Sequence, residues 1–310
     1  MCFGVKQASS PLVHHTSAFF VFTKMSSSNQ RIAYNGDSFH LKVLDKIHPL
    51  YGGNKWYKLK YNLEKAKAGG HDTILTFGGA YSNHIFATAA ACKDHGFKSI
   101  GVIRGDEPRE LNPTLQFAQQ QGMLFQFVSR EEYREKHEDF FKAWLRDLHG
   151  RFYLVPEGGS NYLGVQGCTE ILQPEDREFE QIWCACGTGA TLAGVILSLK
   201  RGQTVVGVSA LKGDFMADEV RKHLCYSLGD EEAADDLSDS WRIVDDAHFG
   251  GYAKTTPELL QFMSEFRAET DVPLDQVYTA KMIWAMLREK PSNALAIHTG
   301  GLQGLKGLTD

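Results

Sequence analysis

Two glycines and a lysine stand together in Gly52-Gly53-Asn54-Lys55, followed by Trp56-Tyr57-Lys58-Leu59, where an amphipathic stretch opens. The glycines let the backbone approach another group closely. A lysine in the first turn of a helix sits against the positive end of the dipole, which disfavours its protonated form and lowers its pKa. Such an amine can condense with a carbonyl. Alone, the motif would read as a solvated surface lysine; its weight comes from three more glycine-rich junctions. Phe77-Gly78-Gly79-Ala80-Tyr81-Ser82-Asn83-His84 offers backbone N–H groups at a helix start, with Tyr81, Ser82 and Asn83 beside them. That is an anion site suited to a carboxylate, or a turn capped by Ser82 or Asn83, and one segment can be both. Cys186-Gly187-Thr188-Gly189-Ala190-Thr191 follows an apolar run and suits a phosphate, against the plainer reading of a tight turn. Leu192 occupies the last glycine position of a dinucleotide fingerprint, so a monophosphate fits better. Ile297-His298-Thr299-Gly300-Gly301 and Val277-Tyr278-Thr279 are weaker signals by themselves.

These junctions need strands before them and helices after them. Short β-rich runs occur at His40–Leu44, Thr73–Phe77, Ser99–Ile103, Leu124–Val128, Phe152–Val155, Gln181–Ala185, Thr204–Ser209, Trp241–Val244 and Ala294–Ile297. Between them lie helical patterns at Lys58–Ala68, Asn83–His95, Pro113–Gln121, Glu131–Leu148, Thr191–Lys200, Phe215–Ser227, Pro257–Glu269 and Lys281–Arg288. The alternation predicts an α/β protein with mostly parallel sheets, whose ligands gather at the carboxyl ends of the strands. The acidic run Asp230–Asp239 reads as a solvated loop.

The chain has 310 residues, enough for two lobes with a cleft between them. It is 43% hydrophobic and 23% charged, with a net charge of -5 and a pI near 6.2. No basic stripe points to nucleic acid. No segment reaches the roughly 20 apolar residues that span a bilayer. Cys184 and Cys186 form a C-x-C without a second pair, so no metal site is expected, and the six cysteines read as small buried hydrophobes in a reducing cytoplasm. Residues 1–30 read as a poorly ordered or peripheral extension, with an apolar Ala18–Phe22 too short for a signal sequence.

Taken in order, GGNKWYKLK, GGAYSNH, GTGAT, DQVYTAK and HTGG resemble the motifs of fold-type II pyridoxal 5'-phosphate (PLP) enzymes with a tryptophan-synthase-β-like architecture. The nearest pattern is that of the D-cysteine desulfhydrase and 1-aminocyclopropane-1-carboxylate (ACC) deaminase group. The resemblance runs from about residue 40 to the C-terminus. It implies that Lys55 holds PLP, that Asn83 faces its 3-oxygen, and that Gly187, Thr188, Gly189, Ala190 and Thr191 bind its phosphate. Thr279 would meet the pyridine nitrogen, with Thr299 also at the cofactor. Ser82, Tyr252 and Tyr278 would face the substrate. The larger domain would combine 31–55 with 151–310, and the smaller would be 56–150; a homodimer is expected by the same analogy.

Several positions depart from the pattern: Tyr57 for Arg, Lys60 for Glu, Ala280 for Gly, and Tyr81 for Gln, a bulkier phenol expected near the substrate. Thr279 and Thr299 stand where the deaminase pattern has Glu and Leu, as in the desulfhydrase pattern. A threonine cannot hold a pyridine nitrogen protonated as a carboxylate does, which leaves a weaker electron sink, sufficient for losing thiolate. The resemblance therefore implies β-elimination from D-cysteine, with Lys55 removing the α-proton and Tyr278 or Tyr81 assisting the leaving group. The alternatives are ACC deaminase, another PLP lyase or racemase of a small amino acid, and a PLP-fold protein that binds without turnover. A plain nucleotide-binding α/β domain is a further reading.

Overall fold

The computed structural model describes residues 28–303. Ten strands alternate with ten α-helices: β1 (Ser28–Tyr34), β2 (Asp37–Val43), α1 (Asn54–Ala68), β3 (Thr73–Gly79), α2 (Asn83–Asp94), β4 (Lys98–Arg104), α3 (Pro113–Gln120), β5 (Met123–Val128), α4 (Asp139–His149), β6 (Tyr153–Val155), α5 (Tyr162–Cys168), β7 (Gln181–Cys186), α6 (Ala190–Ser198), β8 (Thr204–Ser209), α7 (Met216–Leu228), α8 (Glu231–Asp235), β9 (Trp241–Val244), α9 (Pro257–Thr270), α10 (Thr279–Glu289) and β10 (Ala294–His298). They form a six-stranded sheet, β1-β2-β10-β7-β8-β9, and a four-stranded sheet, β5-β4-β3-β6. Every pairing is parallel except the β1–β2 hairpin.

Both faces of both sheets are covered, and the two-residue alternation of a strand divides its side chains between them. In β7, Trp183 and Ala185 join one core with α9 and α10, while Ile182, Cys184 and Cys186 join another with α5, α6 and α7. In β3, Ile74 packs towards α1 and α2, while Leu75 and Phe77 pack towards α4. Cys184 and Cys186 are thus core residues with free thiols, the plainer of their two readings.

Three expectations need correction. Ser28–Gln30 open β1 instead of belonging to a peripheral extension, and the rest of that extension lies outside the described residues. Glu131–Leu148 is broken by an extended Glu138 into a 3-10 turn and α4. The acidic run contains α8, because the Asp230 side chain accepts from the amides of Glu232 and Ala233. The four-stranded sheet includes Tyr153–Val155, which pairs with β3. Among the described residues no helix is long and apolar enough to cross a membrane.

Candidate active site

Each sheet reverses its strand order once, β10 lying on the other side of β7 from β8, and β6 on the other side of β3 from β4. Open α/β sheets bind ligands outside the carboxyl ends of strands at such a switch point. Here both switch points line one cleft of 560 Å³, within the usual range for small-molecule sites. Its walls include Gly187–Gly189 after β7, Thr299–Gly301 after β10, Gly79 at the end of β3 and Glu157–Gly158 after β6.

Lys55 enters from the first turn of α1. The approach is tight: a Cβ on Gly53 would lie 2.1 Å from the Thr299 carbonyl oxygen, and Gly53 has a φ of 69°. The Asn54 amide donates to that same carbonyl at 3.0 Å. Lys55 Nζ donates to Asn54 Oδ1 at 3.1 Å. Burial holds its amine down to about 7, Lys58 pushes the same way, and Cys168 and Asp275 pull less strongly upward. The lowering expected from the helix dipole is present, but removal from water is its main cause.

Lys58, one turn on, was absent from the expected site although its i+3 spacing puts it on the face of Lys55. It is buried and donates to Gly158 O at 3.1 Å and Thr188 Oγ1 at 3.3 Å. Burial lowers its pKa as well. Facing it is the N-terminus of α6, where Gly189 adopts a left-handed conformation and no side chain caps the helix. Unpaired amides at a buried helix start next to a buried ammonium and two threonines suit a phosphate dianion. Thr191 Oγ1 accepts from Asn54 Nδ2 at 3.0 Å, so the phosphate-type loop and the Lys55 turn are tied together.

Across the cleft, Ser82 caps α2, its Oγ accepting from His84 N at 3.2 Å and Ile85 N at 3.3 Å. Its hydroxyl proton stays available to an anion. Asn83 packs on Gly301, where a Cβ would lie 2.6 Å from Asn83 Nδ2. Tyr278 lies over Gly187, where a Cβ would fall 2.8 Å from its ring. Tyr252 stands edge-on to Tyr278 with centroids 6.2 Å apart. Burial raises both phenols above their ordinary range, Tyr278 well above it, so both keep their protons at neutral pH.

Lys55, Ser82, Asn83, Gly187, Thr188, Gly189, Thr191, Tyr252, Tyr278 and Thr299 therefore line one cleft. Ala190 and Thr279 do not line it. Thr279 is fully buried, and its hydroxyl donates to Asp275 Oδ2 at 2.7 Å while accepting from Asp275 N at 2.8 Å. Tyr81 also differs from expectation: it is 75% exposed and outside the lining. Asp45, Arg104 and Glu157 line the cleft without having been anticipated, and Asp45 Oδ1 is buried with no hydrogen-bond partner. Asp45 lies just past the expected strand His40–Leu44, Arg104 ends β4 and Glu157 follows β6; position at a strand end was the signal that could have found them.

Residues 26–300 match the family described as pyridoxal-phosphate dependent enzyme. The chain belongs to this family. Its members depend on PLP, and the cleft would suit two parts of that cofactor: an amine of lowered pKa for the aldehyde, and the α6 start with Lys58 for the phosphate. A Thermotoga maritima protein provisionally named as an ACC deaminase is 34% identical over 287 residues, covering 87% of this chain and 90% of its own. The bifunctional D-cysteine desulfhydrase/ACC deaminase of Arabidopsis thaliana, a mitochondrial protein, is 30% identical over 306 residues, covering 89% and 75%. A crystal structure of an ACC deaminase homologue superposes with a TM-score of 0.75 at 27% identity, covering 90% of each chain. The PLP-family fold is that of an α/β enzyme with mostly parallel sheets, as the motifs implied.

Proposed function

We propose that this PLP-dependent enzyme is a lyase that converts D-cysteine and water to pyruvate, ammonia and hydrogen sulfide. The observation that carries this reading is the Lys55 amine, brought to about 7, in one cleft with two phenols that burial keeps protonated. A base and hydrogen-bond donors thus coexist at neutral pH, an arrangement that serves β-elimination of a good leaving group. Lys55 and Lys58 hold the cofactor with the amides of Gly187–Thr191. When bound, PLP supplies an electron sink for the charge left at Cα. Ser82 Oγ and the α2 start orient the substrate carboxylate, and Arg104 at the rim favours an anion. Lys55 takes the α-proton, and the Tyr278 hydroxyl, which keeps its proton, donates a hydrogen bond to the departing sulfur.

ACC deamination is the second reading, supported by the relatives whose names carry that activity. We further propose that the two sheets mark two domains, that the enzyme works as a homodimer on a small amino acid, and that it acts in a reducing compartment such as the cytoplasm, where the five free cysteines of the described chain stay reduced. The test is keto-acid release by the PLP-saturated protein on D-cysteine, L-cysteine and ACC in parallel. Pyruvate with sulfide from D-cysteine alone is expected. 2-Oxobutyrate from ACC as the main product would overturn the desulfhydrase reading in favour of the second. No product from any of the three would reject both.

A further inference from the structure

Tyr252 reaches the cleft on the segment between β9 and α9, residues 245–256, which contains no strand or helix. The segment turns sharply. Phe249, Gly250, Gly251 and Ala253 have φ values of 51°, 95°, 117° and 54°, and two of these are not glycine. Left-handed conformations at such residues persist only where the surroundings enforce them. Local bonds help: Gly251 N donates to His248 O at 3.0 Å, and Lys254 N to Gly251 O at 3.1 Å.

The rest of the constraint comes from one face of α10. Lys281, 1% exposed, donates from Nζ to His248 O at 2.7 Å and to Gly251 O at 2.8 Å, the same two carbonyls that close the turn. Trp284 meets the Phe249 ring edge-on at 4.9 Å. Arg288 donates to Asp246 Oδ1 at 2.7 Å. Positions 281, 284 and 288 follow the three-and-four spacing of a single helix face. The same helix begins at Tyr278, its N-cap. A buried ammonium is costly unless its protons are used, and here they cross-link a strained loop.

We infer that α10 positions both cleft tyrosines, Tyr278 through its own N-terminus and Tyr252 through a three-point clamp in which Lys281 is the principal positioning residue. Lys281 lies outside the cleft lining and acts on the reaction through Tyr252; its effect on turnover rests on the cleft being the active site, whereas its effect on the loop does not. The test uses the full, cofactor-loaded chain carrying Lys281→Met, which keeps length and removes the charge. Hydrogen exchange of the amides in 246–254 should accelerate about 10-fold, the loss of two charge-assisted bonds, with 181–198 unchanged. kcat should fall by roughly 10-fold or more, with KM changing less and PLP affinity retained. If Lys281→Met does not fold, Arg288→Gln, at the exposed end of the clamp, should loosen 246–249 in the same sense. Unchanged exchange in 246–254 overturns the clamp. Faster exchange with kcat and KM both unaltered overturns the positioning role. A wild-type protein inactive on every amino acid tried would reject the proposed function while leaving the exchange result standing.

Discussion

A lysine amine is ordinarily protonated far above neutral pH, and Lys55 escapes that state through its surroundings. Removal from water and the neighbouring Lys58 bring it to about 7, so the neutral, nucleophilic form grows as pH rises through that value. Uptake of PLP by the cofactor-free chain should therefore quicken between roughly pH 6 and 8 and then level off, followed as the gain in cofactor absorbance after mixing. A flat profile would place the amine outside that window. Lys55→Ala should lower turnover by at least ~10²-fold and leave no cofactor attached after borohydride reduction, checked by mass spectrometry. About half of the residues that line the cleft lie in four glycine-bearing junctions, because backbone approach and helix starts leave local signatures. Thr279 could not be placed that way. Its hydroxyl is taken by Asp275, four residues earlier, and only the fold shows that. Tyr81 follows Gly79 into solvent, a side-chain direction that spacing does not encode.

The elements owe their legibility to burial on both faces. Parallel strands covered by helices become continuous apolar runs, and nine of the ten were readable as such. The missed strand, β1, is polar in Ser28-Asn29-Gln30, yet its hairpin carried a strong signal in Asn35-Gly36, whose φ values of 49° and 81° are those of a tight turn. Lys42 was equally opaque: it is fully buried in β2 because it pairs with Asp176 at 2.8 Å, a partner distant in sequence. The α1 start shows how one element controls another. Gly53 combines a positive φ with a near contact to the Thr299 carbonyl, so Gly53→Ala should push the Lys55 turn away from the loop after β10. We expect a stability loss of about 1–3 kcal/mol by urea denaturation, with PLP affinity falling more steeply than stability. Equal losses in both would mean that the contact shapes the fold without shaping the site.

For the whole molecule, the proposed cofactor site would bridge parts that the chain keeps apart: Lys55 and Lys58 on α1, and the α6 start in the other half of the sequence. A ligand held only by the folded state stabilises it by mass action. PLP at about 100 times its dissociation constant should add about 2.7 kcal/mol and raise the midpoint of thermal unfolding by several degrees. Lys58→Ala should shrink that shift while leaving the cofactor-free midpoint nearly where it was, measured by calorimetry. A cofactor-induced shift that survives Lys58→Ala intact would remove Lys58 from the phosphate site.

The position of β10 has a consequence for how the protein is made. It follows every other described strand, yet it lies between β2 and β7 within the larger sheet. On the ribosome, β2 must therefore wait beside an open gap until residues 294–298 emerge, whereas β3 to β6 have all been made by residue 155 and can assemble early. The smaller sheet should be the first resistant to protease during synthesis, and cofactor capture one of the last events, since the Thr299 turn that seats Lys55 is translated after nearly everything it touches.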